Sequence, residues 1–247
     1  MRLEGKTAIV TGGGGEIGRA IALGLAREGA RVAIADINLA AAAQTAREIE
    51  AGGGQALALS CDVSDAGQVE RMVSEVVGHF GGVDILINGA GIQFRAPVAE
   101  ASEEHWDQTM AVNLKGPFLC SRAVLRHMMP RRTGTILNLA SGLGLLGLAT
   151  ASAYAASKAG LINFTRSLAQ EVVSHNITVN AVAPGRTDTP LFRPHQDVAE
   201  VEKLRREGLI AQPEDVVETV LFLCGPESRF LTGVLINREF PIPGRAP

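Results

Sequence analysis

The sequence predicts an α/β protein built on a doubly wound, seven-stranded parallel sheet with helices on both faces. Three observations carry this expectation. Short runs rich in Val and Ile alternate with helical patterns along the chain. The first of these runs lack in/out alternation, as strands covered on both faces do. A cluster of glycines stands between the first strand and the first helix. The 247 residues, 46% of them hydrophobic, suffice to bury one sizeable core.

The elements follow in order. TAIVT (7–11) is a strand leading into a helix from about Ile17 to Glu28. RVAIAD (31–36) is a second strand, followed by an Ala-rich helix near 39–51. ALALSCD (56–62) and a helix near 65–79 come next, then the apolar strand VDILIN (83–88). A long helix near 103–128 precedes TILNLAS (135–141), and a helix near 152–174 precedes TVNAVAP (178–184). A helix near 214–224 and a strand around 233–237 close the pattern. No linker, low-complexity tract or internal repeat interrupts the chain, so residues 1–247 read as a single domain. The stretch 185–212 holds prolines, charges and only a weak helical pattern. Connections of that length are usually lids or disordered, and it is a lid candidate.

Composition narrows the function. Net charge is −3, from 23 basic and 26 acidic residues that are well interspersed. That surface offers no field for nucleic acid or an anionic membrane. Cys61, Cys120 and Cys224 are far apart and odd in number, which reads as buried thiols in a reducing compartment. The five histidines show neither i,i+4 pairing nor cysteine neighbours, so no metal site is expected. MRLEGKTAIVTGG lacks the apolar run of a signal peptide, and the apolar stretch Gly142 to Ala149 is too short to span a bilayer. A cytoplasmic protein is the expectation.

TGGGGEIG (11–18) fits two registers. From Gly13 it matches G-x-G-x-x-G literally. From Thr11 it nearly matches T-G-x-x-x-G-x-G, with Glu16 in place of the middle glycine. Either register puts backbone amides and a helix N-terminus where a pyrophosphate could bind, although a tight turn alone would also need such glycines. Asp36 ends the second strand, where a carboxylate accepts from ribose hydroxyls and repels a 2′-phosphate. No basic residue stands at Ile37, Asn38 or Gly13 to Gly15, so NAD is favoured over NADP. Asp62, which could instead cap a helix, and Asn88 with Gly89, Ala90 and Gly91 extend the row along the strand carboxyl ends. Tyr154, the single tyrosine, stands four residues before Lys158, on one helix face. A cation there favours phenolate and fits Tyr154 for proton transfer near neutral pH.

With these residues in hand the chain resembles the short-chain dehydrogenase/reductase family over nearly its whole length. The marks are TGGGGEIG, Asp36, CDV (61–63), NGAG (88–91), VNLKGPF (112–118), LNLAS (137–141), YAASK (154–158) and NAVAPGRTDTP (180–190). The resemblance implies a Rossmann-type domain and a tetrad of Asn113, Ser141, Tyr154 and Lys158. Ser141 would bond the substrate oxygen, and Tyr154 would move the proton. Lys158 would lower the tyrosine pKa and hold the nicotinamide ribose, and Asn113 would anchor a water. It also implies a cofactor contact set of Gly12, Gly14, Glu16, Ile17, Gly18, Asp36, Asp62, Val63, Asn88, Ala90, Gly91, Tyr154, Lys158, Pro184, Gly185, Thr187 and Thr189. The implied partners are a small-molecule substrate and further copies of the chain, as a tetramer or dimer. Three departures stand out: Glu16, Gly89 in place of the second asparagine of N-N-A-G, and NREFPIPG (237–244) in place of the V-D-G-G ending that commonly helps build the tetramer.

Substrate-pocket candidates follow the tetrad: Gln93, Leu143, Arg186, Leu191 and Phe192. AGIQFRAPV (90–98) looks like the corresponding segment of sugar-acid and hydroxybutyrate dehydrogenases, and Arg95, Arg186 or Arg193 could hold a carboxylate. LGLLGLAT (143–150) would instead offer an apolar wall to a bulky ketone. The reading is an NAD-dependent secondary alcohol dehydrogenase or ketone reductase. Its rivals are a 3-oxoacyl-thioester reductase, a role that usually goes with NADPH, and a non-catalytic NAD-binding protein. Glu16 is expected to open the first helix with its carboxylate turned to solvent.

Overall fold

The computed structural model describes residues 1–193, 198–207 and 209–237. Seven strands pair in parallel: β1 (Thr7–Thr11), β2 (Arg31–Asp36), β3 (Ala56–Ser60), β4 (Ile85–Asn88), β5 (Gly134–Leu139), β6 (Ile177–Ala183) and β7 (Leu235–Asn237). Their order is β3-β2-β1-β4-β5-β6-β7. The winding therefore reverses between β1 and β4, and the predicted doubly wound sheet is present.

The missing in/out alternation has a direct cause. Ala8 and Val10 of β1 pack into one apolar layer, and Ile9 packs into the other. Ile85 and Ile87 of β4 likewise face away from Leu86. The layer under Val10 is closed by α1 (Glu16–Arg27), α2 (Leu39–Ala51) and α9 (Val217–Cys224). The layer under Ile9 is closed by α3 (Ala66–Phe80), α5 (Gly116–Arg131) and α7 (Ser152–Val172). Each fully buried Ile or Leu contributes about 1.5–3 kcal/mol of hydrophobic stabilisation. Both layers can gain it only if every strand position is apolar.

Side-chain caps start several helices where the sequence offers them. Asn38 Oδ1 accepts from the Ala41 amide at α2, and Asp65 Oδ1 accepts from the Gln68 amide at α3. Ser102 Oγ does the same for the His105 amide at α4 (Glu103–Met110). The cap of α3 is thus Asp65, and the alternative reading of Asp62 as that cap is corrected.

Three other expectations change. The long helix near 103–128 is α4, a π-helical turn over Ala111–Lys115, and then α5. Tertiary contacts of Asn113, described below, account for that turn. The helix near 214–224 begins as a 3-10 turn (Pro213–Val216) before α9. The helix-poor stretch contains α8 (Val198–Arg206), which buries Val201 and Leu204. No helix among the described residues is long and apolar enough to cross a membrane. Cys61 and Cys120 are buried and Cys224 is half-buried. Burial pushes the Cys61 thiol up to about 11 and the Cys224 thiol up to about 12. The atypical ending beyond Asn237 lies outside the described residues.

Candidate active site

Open α/β sheets take ligands beyond the strand carboxyl ends, where the winding reverses. Here two loops meet at that point. Thr11 Oγ1 donates to the Ile87 carbonyl (3.3 Å) and accepts from the amides of Gly89 (3.1 Å) and Ala90 (3.4 Å). One hydroxyl thereby stitches the glycine loop to the loop after β4. Gly12 has φ +67°, and a Cβ there would lie 2.8 Å from Ala90. A Cβ on Gly18 would fall 2.1 Å from the Gly12 carbonyl oxygen. Only glycine permits either approach. The N-cap of α1 is Gly15, which brings no capping side chain. Ile17 of the first turn lines the cavity described below, so the orphan amides of α1 stand at its edge. That backbone cradle suits phosphate oxygens.

Asp36 is oriented beside the cradle by two amides. Its Oδ2 accepts from Gly14 (3.0 Å) and its Oδ1 from Asn38 (2.9 Å). Each carboxylate oxygen keeps a further lone pair, which a ribose hydroxyl could use. Glycine loop and carboxylate together fit the adenosine half of a nicotinamide dinucleotide.

On the other side of β4, α7 presents Tyr154 and Lys158 on one face. Tyr154 is 8% exposed and Lys158 5%, and Lys158 Nζ lies 5.7 Å from the centre of the tyrosine ring. Nζ donates to the Leu139 carbonyl at the end of β5 (2.8 Å). Burial pulls the Lys158 ammonium down to about 8. Ser141 stands just past β5, with Oγ accepting from the Leu143 amide (3.2 Å). Asn113 sits in the π-helical turn with its side chain committed to protein. Oδ1 accepts from the Ile92 amide, while Nδ2 donates to the Ile92 carbonyl and to Ser157 Oγ. A Cβ on Gly91 would lie 3.5 Å from Asn113 Oδ1 and 3.6 Å from Lys158 Nζ, so Gly91 fills the gap between them.

These groups open on a cavity of about 370 Å³, in the size range of small-molecule sites. Ser141, Tyr154 and Lys158 form its polar floor, and Pro184, Gly185, Thr187 and Thr189 its side after β6. Leu143, Leu148, Leu191, Phe192 and Leu204 supply apolar walls, with Gln93, Arg95 and Arg186 as polar groups at the substrate end. Burial lowers the pKa of Arg95. The described lining contains two arginines and a lysine and no carboxylate.

A family pattern described as short chain dehydrogenase matches residues 6–199. The chain belongs to the short-chain dehydrogenase family. It is 39% identical to a 3-oxoacyl-[acyl-carrier-protein] reductase FabG of Thermotoga maritima, over 96% of this chain and 97% of that one. It is 39% identical to a sorbitol dehydrogenase of Cereibacter sphaeroides, again over 96% and 97%. The solved structure of an NAD+-bound xylitol dehydrogenase superposes with a TM-score of 0.90 at 31% identity, covering 96% of this chain and 99% of that one.

This short-chain dehydrogenase is thus an oxidoreductase of a family that uses nicotinamide cofactors. The structure adds where the side chains of several expected site residues are engaged. The Asn88 side chain is buried and donates to Asn138 Oδ1 (2.8 Å) and Ser121 Oγ (3.4 Å), so it braces β4 against β5 and α5 instead of facing the cleft. Val63 is buried against Gly116 in the core. Asp62 Oδ1 is taken up by the amide and hydroxyl of Ser64. Asn113 Nδ2 is committed to the Ile92 carbonyl and Ser157 Oγ, so a water anchored by Asn113 would be held by one of its oxygens. The expected apolar wall begins as the short helix α6 (Leu143–Leu146), and of its leucines Leu143 and Leu148 alone face the cavity, while Leu145 and Leu146 are exposed. Glu16 opens α1 as expected, and its carboxylate, still about two-fifths exposed, also faces Arg193 of the β6–α8 loop at 3.5 Å.

Some lining residues escaped the sequence reading. Leu204 arrives on α8, and the spacing of Val198, Val201 and Leu204 was its only signal. Gly89, expected in the row at the strand carboxyl ends but not among the contact residues, lines the cavity too.

Proposed function

We propose that the protein is an NAD-dependent oxidoreductase that interconverts a secondary alcohol and its ketone. The observation that carries the cofactor choice is the Asp36 carboxylate, held by the Gly14 and Asn38 amides beside the glycine cradle. A 2′-phosphate placed there would meet a fixed negative charge. Gly12, Gly14, Ile17, Gly18, Ala90 and Gly91, with the backbone at Glu16, Asp62, Val63 and Asn88, border the adenosine and phosphate portion. Pro184, Gly185, Thr187 and Thr189 border the nicotinamide portion.

The bound nicotinamide supplies hydride acceptance or donation. Tyr154 transfers the proton to or from the substrate oxygen. Lys158 keeps a positive charge beside the phenol, which favours phenolate. Ser141 Oγ orients the same substrate oxygen, with its rotor set by the Leu143 amide. Asn113 acts by position: it pins the 91–92 turn and, through Ser157 Oγ, which donates to the Tyr154 carbonyl (2.7 Å), braces the first turn of α7. The segment 185–212 serves as the lid. Gln93, Leu143, Arg186, Leu191 and Phe192 define the substrate end. Its cationic lining supports a hydroxy-acid or keto-acid substrate, and the sorbitol and xylitol dehydrogenase relatives support a polyol-like one. Association into a dimer or tetramer is part of the same proposal.

A screen of NADH and NADPH oxidation over keto acids, ketoses and 3-oxoacyl thioesters tests the reading. Turnover is expected with NADH, and Tyr154→Phe should reduce it by at least about a thousandfold while NADH still binds. Preference for NADPH with thioesters would replace this reading with the reductase of lipid synthesis. Absence of turnover throughout would favour a non-catalytic role.

A further inference from the structure

Glu16 is the departure in the glycine loop that the cofactor site does not explain. Its carboxylate opens α1, and both of its oxygens face the guanidinium of Arg193 at 3.5 Å. Arg193 is itself held in place. Its Nε donates to Asp188 Oδ1 (2.8 Å) and one terminal nitrogen donates to the Asp188 carbonyl (3.3 Å). Arg205 of α8 grips Asp188 Oδ2, through Nε at 2.9 Å and through a terminal nitrogen. Burial pushes the Asp188 carboxyl up, but the bonds from Arg193 and Arg205 outweigh it and leave the carboxyl below its ordinary range. Asp188 is therefore a buried ionic hub that joins the turn at Thr189–Arg193 to α8.

This hub belongs to the segment that walls the cavity. Leu191 and Phe192 precede Arg193, and Leu204 precedes Arg205. The base of the segment is closed by backbone bonds, from the Ala211 amide to the Arg186 carbonyl (2.8 Å) and from the Asp188 amide to the Ala211 carbonyl (2.9 Å). The turn at Thr189–Arg193, in contrast, reaches the cofactor loop through Arg193 and Glu16.

We propose that Glu16 is a positioning residue, the fixed half of an ionic latch that seats Arg193, and with it the Leu191–Phe192 wall, over the cavity. The carboxylate at the lip of the phosphate cradle then has a role of its own. Its charge is engaged by the opposite loop, and closing of the substrate side is tied to the cofactor side. Both side chains are about two-fifths exposed, so salt weakens the latch. A pair of this exposure shifts the closed population by roughly two- to fivefold. The proposal rests on the reading of 185–212 as a lid, and its test needs no turnover.

Hydrogen exchange over residues 186–193 and 209–212 is followed in the purified full-length protein at low and high salt, for wild type, Glu16→Gln, Glu16→Lys, Arg193→Gln and the Glu16→Gln/Arg193→Gln double variant. Glu16→Gln should speed exchange there by roughly two- to fivefold and Glu16→Lys by more. High salt should reproduce the change in wild type, and Glu16→Gln should add nothing once Arg193 is Gln. Arg193→Gln should also raise KM for the carbonyl substrate more than it lowers kcat. Unchanged exchange in Glu16→Lys overturns the latch, as does an equal effect of Glu16→Gln with and without Arg193. Loss of the latch signal with NADH turnover intact would leave the proposed reaction standing. A latch signal without turnover on any substrate would remove the reaction alone.

Discussion

Lys158 is buried, bonded to one carbonyl and pulled down from 10.5 to about 8. That depression is a stability cost below pH 8, where the ammonium is held in a site that disfavours it. As pH rises from 8 toward 10.5, the folded protein has lost a proton that the unfolded chain still binds, so this group's contribution becomes more favourable. The depression corresponds to roughly 3 kcal/mol. Lys158→Met should therefore be inactive yet more stable than wild type at pH 7, by about 1–3 kcal/mol after loss of the Leu139 bond. The advantage should fade as pH approaches 10.5. Chemical denaturation of both proteins across that range measures it, and a constant difference would contradict it. Tyr154 and Lys158 were legible as a pair because their four-residue spacing is a local property of a helix. The side-chain commitments of Asn88 and Asn113 were not, since both depend on residues distant in sequence, Asn138 and Ile92.

At the scale of elements, the β1–α1 connection is a backbone-on-backbone contact. A Cβ on Gly18 would meet the Gly12 carbonyl oxygen, and no rotamer change relieves a main-chain clash. Gly18→Ala should destabilise the protein by about 1–3 kcal/mol or more and weaken NADH binding at least tenfold. Thermal denaturation and fluorescence titration would show this, and wild-type values for both would refute it. The elements themselves were readable where period and turn signals agree, as in β1, α1, β2 and α3. The continuous helix expected near 103–128 failed at its centre. There Asn113 bonds both the amide and the carbonyl of Ile92, a tertiary demand that the helical period does not record. In α8 the polar residues of EVEKLRR masked a buried edge formed by Val201 and Leu204.

For the whole molecule, the first and last parts of the chain meet at α1 and α9. A Cβ on Gly24 would lie 2.4 Å from Val217 Cγ1, so the two helices touch where any added side chain must displace that of Val217. Gly24→Ala should destabilise by about 1–3 kcal/mol despite alanine's higher helix propensity. In a Val217→Ala background the same change should be neutral or stabilising. A double-mutant cycle by denaturant unfolding reads the coupling, and additivity within about 0.5 kcal/mol would reject it.

The order of apolar strands, the glycine cluster, Asp36 and the Tyr154–Lys158 pair were determined by sequence alone. Each rests on a short-range rule: period, turn chemistry or helix spacing. Only the tertiary structure decided that Asn88 and Val63 turn away from the cleft, that α8 brings Leu204 to the cavity, and that Glu16 meets Arg193. The physical reason is the same in each case. A side chain's partner is chosen by which surfaces the sheet and its crossovers bring together, and Glu16 and Arg193 are neighbours only because the β6–α8 loop returns to the carboxyl edge where α1 begins.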